Sequence, residues 1–195
     1  EFTGYDTSSV VVNSNANVRL TAPLVSRSGA VEITTGGGIE RASDRTMIIA
    51  QDITLRAATG IGGGEQGPLR TDLLSSAANW VTDTGDIQIV EVDGGVEIGT
   101  VSTGDGNVSI TAESDIVAID QDSIVRGGLV QLTSLTGGIG TGDLPLVVDS
   151  GTGAGAGLTA SAIGNIYLTE AQGDLQLSAV ASLAGNVQIE ALAGD

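Results

Sequence analysis

Apolar and polar residues alternate with a period of two in many short runs of this chain. Residues 85–112, GDIQIVEVDGGVEIGTVSTGDGNVSITA, match residues 164–191 without a gap at ten of twenty-eight positions. Each copy contains three units of two aliphatic residues flanking one mostly polar residue: Ile87/Ile89, Val96/Ile98 and Val108/Ile110, then Ile166/Leu168, Leu175/Leu177 and Val187/Ile189. This alternation predicts short β-strands, and the Gly or Asn ahead of most units predicts tight corners between them.

The spacing of the units predicts a coil. The interval from Ile87 to Val108 equals the interval from Ile166 to Val187, and a weaker third copy starting at Val10 repeats it. Equivalent residues recur in this way when parallel strands return to one side of a molecule, one strand spacing higher. We therefore expect an all-β right-handed parallel β-helix, or β-solenoid, with Ile87 directly against Val108.

A longer repeat of about 78 residues relates the copies to one another. Ile53, for example, matches Val130 at nearly this offset. The chain is thus expected to form a single β-solenoid over residues 1–195, built of units at 10–86, 87–165 and, in part, 166–195. With about four coils per unit and ~20 residues per coil, we predict about ten coils and a rod of roughly 48 Å.

Composition favours a narrow aliphatic core. Aromatic residues make up only 2% of the chain, whereas 41% is hydrophobic, mostly Ala, Val, Ile and Leu. The 30 glycines and only three prolines suit a chain that turns often. There is no cysteine, which excludes disulfides and thiolate metal sites.

The charge is strongly negative and narrows the range of partners. The chain has 24 acidic residues against seven arginines, no Lys and no His, for a net charge of -17. Such a surface repels nucleic acid and anionic membranes. No apolar run approaches the ~18 residues of a membrane span, so membrane insertion is not expected, and any export signal is expected outside this sequence.

Several local patterns suggest chemistry. The run from Gly62 to Gly67 matches GxGxxG, but Pro68 follows it and no helical pattern does, so a corner is favoured over a phosphate site. The stretch from Gly62 to Ala78 is the longest that shows no strand pattern, and it is the first candidate for a contact surface. Trp80 is expected in the core and Tyr167 on the outside, where its ring could meet a ligand.

The acidic residues allow three interpretations. Asp115, Asp120 and Asp122 are spaced like the acids of β-helical polysaccharide hydrolases, with only Arg126 nearby and no His, so a solvated acidic face is favoured. Structural Ca²⁺ is the other alternative, because carboxylates on successive turns repel one another and a divalent cation relieves this. No regular Asp-bearing nonapeptide supports it. The sequence therefore assigns no catalytic, cofactor-binding or metal residue.

One longer string resembles a known family. The run Gly138-Ile139-Gly140-Thr141-Gly142, followed by Pro145-Leu146, Val148-Asp149 and residues 164–170, GNIYLTE, resembles the repeats of filamentous-haemagglutinin-type bacterial exoproteins. The resemblance covers essentially the whole chain. It implies a right-handed parallel β-helix in the stalk of a surface adhesin or exoprotein.

The expected function is therefore structural and adhesive. The chain is expected to be a non-catalytic stalk or fibre segment of an exported bacterial surface protein, located outside the cell or at its surface. Its expected partners are neighbouring coils of the same or identical chains, and a cell-surface or polysaccharide ligand. The alternatives are a filament or sheath subunit that stacks head to tail, and, less favoured, a β-helical polysaccharide-processing enzyme.

Overall fold

The computed structural model describes residues 9–75, 77–151 and 155–193, and these residues form an all-β chain without a helix. No helix of the length and hydropathy needed to cross a membrane occurs among them. The strands, in chain order, are β1 (Ser9–Ser14), β2 (Val18–Leu20), β3 (Leu24–Thr35), β4 (Gly38–Arg41), β5 (Ile48–Ala57), β6 (Gly60–Ile61), β7 (Leu69–Leu73), β8 (Ala77–Thr82), β9 (Ile87–Glu91), β10 (Val96–Thr103), β11 (Val108–Ala112), β12 (Ile116–Ala118), β13 (Ile124–Gly127), β14 (Leu129–Ser134), β15 (Leu146–Ser150), β16 (Gly157–Ala162), β17 (Ile166–Glu170), β18 (Leu177–Ser182) and β19 (Val187–Ala191).

The strands stack in two parallel columns, and the chain passes through both columns in each turn. The first column contains β1, the second half of β3 and of β5, then β8, β10, β12 with β13, β15, β17 and β19. The second column contains β2 with the start of β3, β4 with the start of β5, β6 with β7, then β9, β11, β14, β16 and β18. The predicted β-solenoid is confirmed, and Ile87 pairs with Val108 as expected.

The solenoid has about eight turns rather than the predicted ten. One line of paired residues runs up the first column through Val12, Ile33, Leu55, Trp80, Val101, Val125, Val148, Glu170 and Ala191. Most of these steps are longer in sequence than the predicted coil, because several turns carry extra residues outside the strands. The eight steps from the first residue of the line to the last span about 38 Å at ~4.8 Å per step.

The repeat unit spans three and a half turns, half a turn fewer than the sequence predicted. Val31 lies in the first column, paired with Ile53, whereas its equivalent in the next copy, Val108, lies in the second column, paired with Val130. The third copy returns to the first column, where Ile166 pairs with Val187. Successive copies of the unit therefore occupy opposite faces of the rod.

The core is a narrow aliphatic strip between the two columns. Inward residues such as Ile33, Leu55, Ile110 and Ile166 are fully buried. Trp80 is also fully buried, as predicted, so it fills space in the core and does not form a surface platform. Burial of this kind stabilises each turn mainly through the turns above and below it.

An Asp or Asn directly before a strand closes several corners onto the next turn. The Oδ1 atom of Asp86 accepts a hydrogen bond from the Asn107 N–H at 2.8 Å, and the Oδ1 of Asn107 accepts one from the Leu129 N–H at 2.9 Å. Asn165 does the same for the N–H of Asn186 at 2.8 Å. These bonds satisfy corner donors that the strand ladders leave unpaired. They give a physical reason for the Gly-Asx-aliphatic pattern in the sequence.

Candidate functional site

Two pairs of loops leave the columns, one pair in each complete repeat unit. The first loop pair, residues 42–47 and 62–68, interrupts consecutive turns of the second column. The second loop pair, residues 119–123 and 140–145, interrupts consecutive turns of the first column. Pairing with the next turn shows that residues 62–68 leave the column entirely. Ile61 and Leu69, which flank this loop, pair with Ile87 and Ile89, which are only two residues apart. Equivalent loops therefore project from opposite faces.

The glycines at the start of residues 62–68 and 140–145 have matching environments. Gly62 and Gly140 both have positive φ, at 75° and 63°. A Cβ added to Gly62 would lie 2.2 Å from the Gln88 carbonyl oxygen, and one added to Gly140 would lie 2.1 Å from the Tyr167 carbonyl oxygen. Only glycine fits such a close approach of two backbones. Both copies of the long repeat thus place a glycine where the chain leaves the column to form a loop.

A buried arginine joins the two loops of the first pair. Arg41 is 7% exposed, and its Nε donates a hydrogen bond to the Pro68 carbonyl oxygen at 2.6 Å. Its guanidinium also donates to the Gln66 carbonyl and forms an ion pair with Asp44 at 2.7 Å. The hydrogen bond and the positive charge of Arg41 hold the pKa of the Asp44 carboxyl below its usual range. The GxGxxG run lies in this braced loop, between β6 and β7.

The prediction that the chain is irregular from Gly62 to Ala78 is wrong for the residues after Pro68. Strands β7 and β8 cover most of the remainder, and Leu69 and Leu73 are buried in the core. Burial alternates along Leu69–Leu73, but the central inward residue, Thr71, is polar, so the apolar–polar pattern of the sequence does not show the strand. The loop itself remains exposed at Gly63 and Glu65.

The three candidate catalytic acids are not brought together as a set. Asp120 accepts hydrogen bonds from the Asp122 N–H at 3.0 Å and the Ser123 hydroxyl at 3.1 Å, within residues 119–123 of the second loop pair. Asp115 lies in a corner, where its Oδ1 accepts the Gly138 N–H at 2.6 Å. Arg126 forms an ion pair with Asp149 at 2.6 Å instead of facing these acids.

No cation site is formed by acidic side chains in the described part of the chain, where no three Asp or Glu residues cluster within reach of a metal ion. The structural Ca²⁺ considered from the sequence therefore has no cluster of three acidic side chains to bind among residues 9–75, 77–151 and 155–193.

Two buried glutamates were missed by the sequence analysis. Glu91 and Glu170 are 1% and 0% exposed. Glu91 accepts hydrogen bonds from the Leu73 N–H at 2.9 Å and the Thr71 hydroxyl at 2.7 Å. Burial raises the pKa of Glu91 to about 7 and also raises that of Glu170, against the lowering effect of their hydrogen bonds. The available signal was an identical Glu in both copies at an inward position of the period-two pattern.

A groove runs along the corner where the chain passes from the second column to the first. It crosses five consecutive turns and consists of two parts of about 370 and 420 Å³ that meet at Asp115. We call it the glycine groove after the seven glycines that line it: Gly94, Gly95, Gly137, Gly138, Gly140, Gly142 and Gly164. The missing side chains leave a shallow channel along the rod axis, about 19 Å long at ~4.8 Å per turn.

Tyr167 forms one wall of the glycine groove. It is half-buried and follows the inward Ile166, as the alternation predicted. Its ring lies beside residues 140–145, where a Cβ built on Gly142 would be 3.7 Å from Tyr167 Cζ. In the other repeat copy this position is Gln88, which faces Gly63. An aromatic side chain therefore lies beside the second loop pair, whereas an amide side chain lies at the equivalent position beside the first.

No protein-family model, no curated protein and no solved structure matches this chain. The resemblance to filamentous-haemagglutinin-type repeats accordingly stays a prediction from the residues quoted above.

Proposed function

We propose that this chain is a structural and adhesive segment of an exported bacterial surface protein, a rigid rod that displays loops and does not itself catalyse a reaction. The observation that carries the proposal is the half-turn in the repeat unit. A unit of three and a half turns puts the first loop pair on one face and the second on the other. An array of such units presents loops alternately to both sides.

The internal bonding of the loops supports display over catalysis. Residues 62–68 are held by Arg41 and by hydrogen bonds between Gly63 and Gly67, at 3.0 Å, and between Gly67 and Gly64, at 2.8 Å. In the second loop pair, Asp120 bonds its own loop. Of the three candidate acids, Asp115 and Asp120 thus accept hydrogen bonds from backbone N–H groups, which favours a structural role for these two carboxylates.

The location is tested on cells that produce the full-length protein. Antibodies against residues 119–123 and 140–145 are expected to label intact cells, and an antibody against a cytoplasmic marker serves as the control. Labelling only after the cells are permeabilised would contradict an exported rod.

The absence of catalysis is tested separately. Incubation of the protein with acidic and neutral polysaccharides is expected to release no new polysaccharide chain ends, and release of new ends would favour the enzyme alternative.

A second candidate is a subunit that stacks head to tail. The inward residues Leu177 and Val187 are 51% and 46% exposed, whereas Leu158 and Ile166, their partners one turn earlier, are fully buried. A further layer on this turn would bury that apolar surface. Sedimentation velocity over a range of protein concentrations distinguishes the two, because a stacking subunit forms longer species as concentration rises.

A further inference from the structure

The glycine groove has the features of a ligand site that the scaffold role does not require. Of its side chains, Glu97, Asp115 and Asn165 are exposed, and Tyr167 offers part of a ring. Hydroxyl, amide and carboxylate groups beside one aromatic face are the usual content of a site for a hydroxylated ligand. From these features we infer that the groove binds a linear, uncharged glycan along the rod axis.

The charge of the groove excludes anionic ligands. Glu97 and Asp115 are its charged residues among those described, and neither Arg nor Lys lines it. The overall charge of -17 adds to this field. An acidic polysaccharide would therefore be repelled, whereas a neutral one would not.

Several backbone groups of the groove are already paired between turns, which disfavours an extended peptide. The Ser114 N–H donates to the Gly94 carbonyl at 2.7 Å, and the Gly164 N–H donates to the Gly137 carbonyl at 2.7 Å. The Ile116 N–H likewise donates to the Gly138 carbonyl at 3.0 Å. A peptide that adds as a strand needs free main-chain groups, so recognition here must come from side chains.

Two side chains in the groove have one atom engaged and one available. Asp115 uses Oδ1 to accept the Gly138 N–H, and Asn165 uses Oδ1 to accept the Asn186 N–H. No described residue bonds Asp115 Oδ2 or Asn165 Nδ2. The two side chains lie two turns apart with Gly138 between them, about 10 Å at ~4.8 Å per turn. That gap admits one sugar ring with a hydrogen bond at each side, and Tyr167 lies next to it.

The experiment measures binding of the whole 195-residue chain to neutral hexasaccharides of β-1,4-glucose, α-1,4-glucose, β-1,4-N-acetylglucosamine and mannose. Saturation-transfer NMR and amide chemical shifts of the groove glycines are the measurements. We expect at least one neutral hexasaccharide to shift the amides of Gly137, Gly138 and Gly164, and hexagalacturonate to shift none.

The variants use the chain's own second copy as a guide. Tyr167→Gln installs the residue that the other copy has at this position, and it is expected to weaken binding roughly tenfold. Asn165→Asp keeps the Oδ1 acceptor but removes the Nδ2 donor, so it is also expected to weaken binding. Gln88→Ala changes the equivalent position outside the groove and is expected to leave affinity unchanged. Trp80 fluorescence checks that each variant is folded.

Three results would overturn the groove assignment: no shift with any neutral hexasaccharide, equal binding of hexagalacturonate, or binding that Tyr167→Gln does not weaken. The inference rests on the proposed adhesive role for the source of its ligand. The groove assignment and the adhesive role can fail separately. If the groove binds no glycan, the antibodies can still label intact cells, and if the antibodies do not label intact cells, the isolated chain can still bind glycan.

Discussion

Glu91 and Glu170 occupy the same place in two copies of the repeat and face the core from opposite columns. Each glutamate is the last residue that pairs with the strand of the preceding turn: Glu91 pairs with Thr71, and Glu170 with Val148. Beyond that pair the glutamate side chain takes the place of the next backbone carbonyl as hydrogen-bond acceptor, since Glu170 Oε1 accepts the Ser150 N–H at 2.8 Å. The buried carboxylates thus complete the backbone pairing where the chain turns away.

The raised pKa of Glu91 makes the stability of the fold depend on pH. Burial raises its folded-state pKa to about 7, against an ordinary value of 4.5, and the charge of Asp72 acts in the same direction. Below pH 4.5 both folded and unfolded states hold the proton, and this contribution is fully present. Between 4.5 and 7 only the folded state holds it, so we expect the free energy of unfolding to fall by roughly 1–3 kcal/mol as pH rises through that window.

The matched variant is Glu91→Gln, whose amide can still accept from Leu73 and donate to the Thr71 hydroxyl. Urea unfolding followed through the fluorescence of Trp80, the single tryptophan, should show a smaller loss of stability between pH 4.5 and 7 in this variant. If the variant loses as much stability over this pH range as the natural chain does, Glu91 is not the source of the pH dependence.

The Asx caps are expected to carry measurable stability. Asn107→Ala removes the acceptor of the Leu129 N–H and should lower the free energy of unfolding by about 1 kcal/mol. Asn107→Asp keeps an oxygen at Oδ1 and should be closer to the natural chain. Equal destabilisation by both variants in urea titrations would mean that the cap contributes little.

Glycine is required at position 140 for space as well as for φ. Gly140→Ala would place a Cβ 2.1 Å from the Tyr167 carbonyl oxygen, whereas Gly94, with φ of 78°, has nothing within 4 Å of the same position. Alanine at either position incurs a conformational cost of about 1–2 kcal/mol. We expect Gly140→Ala to cost well beyond that or to prevent folding, as measured by thermal unfolding beside Gly94→Ala. Similar losses in the two variants would show that conformation alone matters.

Arg41 is expected to brace the first loop pair far more than Arg126 braces its surroundings. Arg41→Ala leaves the carbonyls of Pro68 and Gln66 without their donor and should cost about 3 kcal/mol. Arg126→Ala breaks an ion pair in which the Arg126 side chain is 46% exposed, and should cost at most ~1 kcal/mol. Urea unfolding of both variants gives the comparison.

Hydrogen exchange localises the effect of the Arg41 change. The amides of Gly63 and Gly67, which bond within residues 62–68, should exchange faster in Arg41→Ala, while the amide of Val108 in β11 should not. Faster exchange throughout the chain would instead indicate general destabilisation.

The sequence by itself determined that this chain is a stacked coil. Strand alternation is a local property, and the equal intervals that begin at Val10, Ile87 and Ile166 all correspond to direct pairs in the ladders. The Gly or Asn ahead of most strand units also predicted corners, and the side chain of Asn107 does accept a hydrogen bond from the next turn at such a corner.

Only the tertiary structure decided the number of turns and the face that each repeat occupies. Those depend on how many residues leave the columns in each turn, which is set by non-local contacts such as the bonds of Arg41 to residues 66 and 68 and the close approach of Gly140 to the next turn. The role of Glu91 likewise required the structure, because a carboxylate becomes a backbone cap only when the preceding turn presents its unpaired N–H, here that of Leu73.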